Sequence, residues 1–175
     1  MKFRKNTKIH QKIGQPPGHL LYTGSAVDQI PELTLLAYDS GRFEKAVDRN
    51  PDNIFAKFDE NKNNWINLSG LHDTKIIEKI GARFGLHNLT LEDVLNIEHF
   101  PKSEAFENYQ FFTLKMLRLD DNGTDILQEH VSFILGSNYL ISFQENGFDL
   151  FDPLRYRLEA GGGKLRSQNA DYLLL

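Results

Sequence analysis

The stretch "NYQFFTLKMLRLDDNGTDILQEHVSFILG", residues 108–136, contains two apolar runs joined by a short polar link. The runs at 108–119 and 126–136 are rich in aromatic, β-branched and leucine side chains, as in β-strands. The link contains Asn122-Gly123, a dipeptide typical of tight hairpin turns. We therefore predict an antiparallel hairpin here and build the rest of the fold outward from it.

On either side of this hairpin, strands and helices are predicted to alternate. Further strand-like runs lie at 20–24, 33–39, 65–70 and 139–145. Helices are predicted over 41–47 with Ser40 as cap, over 74–84 between Asp73 and Gly85, over 90–96, and over 149–160. The order predicts an α/β fold with a mixed β-sheet layered with helices on its faces, an α/β/α sandwich that ends in a truncated helix.

Composition limits the possible functions of the chain. Its 175 residues, 40% hydrophobic and 25% charged, suit a folded domain. The net charge of −4 argues against a nucleic-acid partner. Because cysteine is absent, disulfides, thiolate zinc sites and a cysteine nucleophile are excluded.

Three segments have little predicted structure of their own. Residues 1–15 are predicted to be a flexible basic tail, with five basic residues, no acid and no apolar run like that of a signal peptide. Residues 48–64 read as a polar surface loop without an assigned role. At the other end, the apolar run of "ADYLLL" (170–175) predicts a helix that continues beyond this chain, so we expect any membrane segment to lie downstream.

The chemically distinctive feature is the pair Glu92 and Asp93 within "NLTLEDVLN", residues 88–96. With Thr90 as N-cap, Asp93 would occupy N3 of a capping box, and the helix dipole would stabilise both carboxylates. The same acids could also act as a general acid/base pair or hold a cation. Local sequence leaves these three alternatives open.

The cation alternative has a geometric obstacle. Consecutive helical residues point about 100° apart, so the pair cannot close a cage alone. It could give one or two oxygens to a hydrated Mg²⁺, weakly unless another surface completes the site. Enzyme signatures are also absent: the six histidines have no metal-ligand spacing, no Gly-x-Ser-x-Gly elbow occurs, and "GGGK" (161–164) lacks the remainder of a phosphate-binding loop.

Seven blocks, taken in order, resemble the cytoplasmic N-terminal domain of the CorA family of divalent-cation (Mg²⁺/Co²⁺) channels. They are "PPGHLLYTG" (16–24), "WINLSGLHD" (65–73), "FGLHNLTLEDVLN" (84–96), "PKSEAFENYQFFTLKML" (101–117), "EHVSFILGSNYLISFQE" (129–145), "FDPLRYRL" (151–158) and "GKLRSQNADYLLL" (163–175). The resemblance implies a CorA-like domain over 16–175 that belongs to a homopentamer of the inner membrane and lies on its cytoplasmic side. The family's stalk and transmembrane helices, and its Gly-Met-Asn pore motif, are absent from this sequence.

The resemblance also implies roles for the acidic pair. Asp93 would be the principal ligand and Glu92 a helper in a regulatory divalent-cation site shared between subunits, with Mg²⁺ bound weakly and Co²⁺ as a possible substitute. The implied function is a sensor that gates ion transport and is not an enzyme. The alternatives are a zinc or cobalt transporter domain of the same superfamily, a soluble α/β enzyme with Glu92/Asp93 as acid/base, and an assembly module whose acids only cap a helix.

Overall fold

A seven-stranded sheet forms the centre of the fold in the computed structural model, which describes residues 14, 16–25, 29–120, 122–145, 150–161 and 163–174. The strands are β1 (Glu32–Tyr38), β2 (Phe43–Asp48), β3 (Asn63–Ser69), β4 (Lys102–Ala105), β5 (Gln110–Leu119), β6 (Ile126–Leu135) and β7 (Tyr139–Gln144). Their order is β2-β1-β3-β7-β6-β5-β4. Because β3 and β7 are parallel and the other neighbouring pairs are antiparallel, the predicted mixed sheet is confirmed.

The hairpin predicted at 108–136 is present as β5 and β6. The two strands pair over their full ten residues, from Gln110↔Leu135 to Leu119↔Ile126. In the turn, Gly123 has a φ of +69°, a conformation that favours glycine. The Asn-Gly signal thus identified the hairpin and the place of its turn.

Helices cover both faces of the sheet. They are α1 (Pro51–Phe55), α2 (Thr74–Phe84), α3 (Asn88–Leu95) and α4 (Asp152–Ala160), with 3₁₀ turns at Leu165–Ser167 and Ala170–Leu174. Side chains alternate between faces along a strand, so in β3 Ile66 packs with α1, α2 and α3, whereas Trp65 packs with α4 and the 3₁₀ turns. The layered α/β arrangement is confirmed.

The sequence prediction was wrong for two segments in the first third of the chain. Residues 20–24 lie in no strand, because the Thr23 N–H donates to the Leu95 carbonyl at the end of α3 (3.1 Å) and not to the sheet. Residues 43–48 form strand β2, where a helix was predicted. The Asp39 carboxylate accepts from the Gly41 and Arg42 N–H groups, and the resulting tight turn returns the chain antiparallel to β1.

The polar segment 48–64 has a structure that its composition did not reveal. The Asn50 side chain accepts from the Asp52 N–H and starts helix α1, whose Ile54 is fully buried. At the chain's other end, where a helix was predicted, a 3₁₀ turn covers Ala170–Leu174, and its Leu173 packs against the sheet. The predicted tail, 1–15, lies outside the described residues except for Gly14. None of the helices described is both long and apolar enough to cross a membrane.

Candidate functional site

Helix α3 begins three residues earlier than the capping-box prediction requires. Its N-cap is His87, whose Nδ1 accepts from the Leu89 N–H at 3.2 Å. Thr90 is buried inside the helix, and its hydroxyl contacts the Tyr109 hydroxyl at 2.9 Å. Thr90 is therefore not the cap. No acid lies in the first turn of this helix, so Glu92 and Asp93 are not explained as capping groups.

Glu92 of helix α3 is hydrogen-bonded to the segment 16–24, which precedes the first strand. One of its carboxylate oxygens, Oε2, accepts from the Gly18 N–H at 2.7 Å. Gly18 has a φ of +82°, and a Cβ at this position would lie 3.1 Å from the Asn88 Cβ. A larger residue at position 18 would be strained in this conformation and crowded by Asn88, so the contact favours glycine. The Glu92 side chain therefore points toward the segment 16–24.

The Asp93 carboxylate contacts two side-chain nitrogens, those of His99 and Lys102, from the segment that follows α3. Its side chain is 15% exposed, with Oδ2 at 2.7 Å from Lys102 Nζ and Oδ1 at 3.2 Å from His99 Nε2. Glu92 and Asp93 thus have different partners, as the angle between successive helical residues predicts. No cluster of three or more His, Cys, Asp or Glu side chains able to hold a metal occurs in the described part of the chain.

Lys102 is held in place by strand β4 as well as by Asp93. It pairs with Thr113 of β5 in the ladder, its Nζ lies 3.1 Å from Glu104 Oε2, and it lies 5.6 Å from the centre of the Phe111 ring. Burial acts to lower the pKa of Lys102, but its hydrogen bonds to Asp93 and Glu104 outweigh burial and the pKa is raised. The lysine therefore carries its positive charge at neutral pH.

His99 completes the surroundings of the Asp93 carboxylate. Its Nδ1 lies 2.8 Å from the Phe100 carbonyl oxygen, while its Nε2 faces Asp93. Both of these contacts are hydrogen bonds donated by the ring only when both nitrogens carry a proton, that is, in the positively charged form. Neither His99 nor Lys102 was predicted as a site residue, although "HFPKSE" (99–104) places both beside the turn that follows α3.

A buried polar layer supports the backbone beneath Asp93. His130 is 2% exposed, and burial, with smaller effects from Lys115 and His99, lowers its pKa to about 3. The uncharged ring contacts the Thr113 and Ser132 hydroxyls at 3.3 and 3.2 Å and is hydrogen-bonded to the Asp93 backbone. His130 thus has a structural role.

Lys115 extends this layer to the residues that follow α3. Its Nζ donates to the Ile97 carbonyl. Burial lowers the pKa of Lys115, although Glu98 and Glu145 act in the opposite direction. The Thr23 hydroxyl accepts from the Ile97 N–H at 3.1 Å from the other side. The backbone between Asp93 and Ile97 is therefore fixed by side chains from three other segments.

Two surface cavities of about 330 Å³ occur in the described part of the chain. One is bordered by β1, β2, β3 and α4, and the other lies between α2 and α3 near Leu20. Neither is lined by Glu92 or Asp93, so neither places a substrate against the acids that the enzyme alternative requires.

Comparison with known proteins identifies relatives of this chain. The model of a family described as "CorA-like Mg2+ transporter protein" matches residues 60–175. The cobalt/magnesium transport protein CorA of Thermotoga maritima is 38% identical over 167 residues, which are 95% of this chain and 47% of that protein. The chain thus spans about half the length of this curated relative.

Solved structures share the fold at low sequence identity. The full-length CmaX protein has a TM-score of 0.63 and 13% identity, covering 86% of this chain and 44% of its own. The soluble domain of CorA from Methanocaldococcus jannaschii has a TM-score of 0.56 and 13% identity, covering 77% and 50% respectively. At these identities the likeness concerns the fold.

Proposed function

The chain belongs to the family of CorA-like Mg²⁺ transporter proteins, and we propose that it is the cytoplasmic domain through which such a transporter senses divalent cations. In this proposal residues 16–175 form the sensing domain of a larger membrane protein. It acts by binding and assembly and catalyses no reaction. Its partners are divalent cations and further copies of the same chain, arranged as a pentamer at the inner membrane.

The observation that carries this proposal is the position of Asp93 on helix α3. Its carboxylate is near the surface, 15% exposed, and carboxylate oxygens are ligands that Mg²⁺ and Co²⁺ accept. The donor chemistry therefore fits the ion. A single copy provides too few oxygens, because the described residues contain no cluster of three or more acidic or histidine side chains around this carboxylate. We infer that acids of a second copy complete the site, with Asp93 as principal ligand and Glu92 as its helper.

Charge makes such a shared site sensitive to the ion concentration. Each copy carries a net charge of −4, so acidic surfaces on neighbouring copies repel each other. A divalent ion bound between two copies supplies the positive charge that offsets this repulsion. Ion binding at Asp93 then shifts the assembly toward the closely packed arrangement. This requires that the closely packed arrangement binds the ion more tightly than the separated one. Loss of the ion would let the copies move apart and open the pore.

The test is a comparison of the complete transporter with its Asp93→Asn variant. With Mg²⁺ at ten times its dissociation constant, a single site stabilises the native assembly by about 1.4 kcal/mol. We expect this gain in wild type, with a similar gain in Co²⁺, and no gain in Asp93→Asn. The measurement is the free energy of unfolding or of subunit dissociation against ion concentration, and a parallel Zn²⁺ series tests the zinc-transporter alternative.

The matched control is Asp52→Asn. Asp52 also pairs with a lysine, Lys79, but it lies on α1 and is 62% exposed. We expect the Asp52→Asn protein to respond to Mg²⁺ like wild type. An unchanged response in Asp93→Asn would overturn the assignment of this residue.

A further inference from the structure

Lys102 is bonded to one of the two oxygens of the Asp93 carboxylate. The Nζ–Oδ2 distance of 2.7 Å is that of a charge-assisted hydrogen bond, and the second oxygen of Asp93 faces His99. Both oxygens therefore have donors within a single copy. A carboxylate oxygen has a second lone pair for an ion, but the positive charges of the lysine and the ion repel each other, so the two compete for the same carboxylate.

The lysine has a second acceptor within reach. Glu104 lies two residues further along strand β4, and its Oε2 is 3.1 Å from the same Nζ. Lys102 therefore contacts two carboxylates at once, one on α3 and one on its own strand. Released from Asp93, the ammonium group would keep Glu104 and the face of the Phe111 ring, 5.6 Å away, as partners.

The fold keeps the lysine near the site. Lys102 is the first residue of β4, and the β4 ladder extends from Lys102↔Thr113 to Ala105↔Gln110. Its backbone is thus fixed, while its side chain is 27% exposed. A tethered cation of this kind has a high effective concentration at Asp93, which raises the ion concentration needed for binding.

We infer that Lys102 is a built-in counter-cation that competes with divalent ions for Asp93 and moves to Glu104 when an ion binds. This inference rests on the proposed function and concerns the regulation of the same site. Its consequence is that the lysine weakens the divalent affinity of the sensor. A second consequence is that ion binding changes a contact between helix α3 and edge strand β4.

The test uses the complete transporter with Lys102→Met, which keeps the aliphatic stem and removes the charge. We expect the dissociation constant for Mg²⁺, measured by titration calorimetry and by Mg²⁺-dependent protection from protease, to fall by about three- to tenfold. Lys102→Arg should remain close to wild type, because it keeps the charge. Lys79→Met, which removes the lysine of the exposed Asp52 pair, should leave the constant unchanged.

The outcomes separate this inference from the proposed function. Suppose that wild type responds to Mg²⁺ and Asp93→Asn does not. An unchanged or weaker Mg²⁺ affinity in Lys102→Met would then refute the competition between Lys102 and Mg²⁺, while the assignment of Asp93 as the sensor would stand. If wild type itself does not respond, the sensor fails first. Glu104→Gln is a second variant that removes the alternative acceptor. It should weaken Mg²⁺ binding, and tighter binding in this variant would contradict the movement of Lys102 to Glu104.

Discussion

Two lysine–aspartate pairs in this fold have the same chemistry and different surroundings. Lys79 and Asp52 join α2 to α1 with side chains that are 49% and 62% exposed. Lys102 and Asp93 join β4 to α3 with side chains that are 27% and 15% exposed, above a buried layer that contains His130. Water competes for the first pair and much less for the second, so the surroundings, more than the residue types, make Asp93 a candidate sensor.

The largest expected difference between the two regions is in the pH dependence of the unfolding free energy, and it comes from His130 beneath Asp93. Its pKa of about 3 in the folded state lies below the ordinary 6.5, so the unfolded chain binds this proton first as the pH falls. The stability contributed by the neutral ring is complete above pH 6.5 and is lost progressively as the pH falls toward 3. Between pH 6.5 and pH 4.5 this group alone removes about 2 kcal/mol of unfolding free energy.

Urea unfolding at a series of pH values measures this contribution. His130→Gln should remove it and flatten the dependence of stability on pH in this window, whereas His19→Gln, at an exposed histidine, should keep it. A His130→Gln protein with the pH dependence of wild type would show that the ring is not held neutral.

The next effect is that of removing the aspartates. Asp93→Ala leaves His99 and Lys102 without the carboxylate that both contact, and we expect a loss of about 2 kcal/mol of unfolding free energy. Asp52→Ala should lose less than about 1 kcal/mol, because water replaces the carboxylate around Lys79. Chemical unfolding at neutral pH without divalent ions measures both, and equal losses would remove the distinction between the two pairs.

A smaller effect is expected for the lysines. Lys102→Met removes the charged partner of Asp93 Oδ2 and keeps the contact of Oδ1 with His99. We expect the free energy of unfolding without divalent ions to fall by about 1 kcal/mol. Lys79→Met should change stability by no more than about 0.5 kcal/mol. The same unfolding measurements compare them, and a stabilised Lys102→Met protein would show that the ion pair does not support the fold.

The smallest expected effect is that of salt. Raising NaCl to about 1 M shortens the screening length to about 3 Å and weakens exposed charge pairs most. The coupling free energy of Asp52 and Lys79, from a double-mutant cycle, should therefore vanish, while that of Asp93 and Lys102 persists in part. A greater loss of coupling at the Asp93 pair would contradict its shielding from solvent.

Signals between near neighbours made much of the fold predictable. Asn122-Gly123 identified the β5–β6 hairpin, and Asp73 and Gly85 bounded helix α2, because turns and caps are formed by residues close in sequence. Two local signals were misleading. Thr90 matched a capping pattern but is buried against Tyr109, and Ser40 matched a helix cap while Asp39 formed the turn into β2.

The candidate site was predictable only in part for the same reason. The acids of α3 were visible in the sequence, but their partners depend on tertiary contacts. The Gly18–Glu92 bond spans 74 residues, and Lys102 reaches Asp93 only because β4 pairs with β5. Sequence periodicity indicates which face of a helix is apolar. It does not indicate which strand packs beside that helix.

The most direct test of the account is the anomalous scattering of Co²⁺ in crystals of the complete transporter. We predict a Co²⁺ peak between two copies, within about 5 Å of the Asp93 carboxylate, a distance that allows one bridging water. In the same crystals Lys102 Nζ should have left Asp93 for Glu104. Saturating Co²⁺ with no peak near Asp93, and Lys102 still bonded to it, would contradict the account.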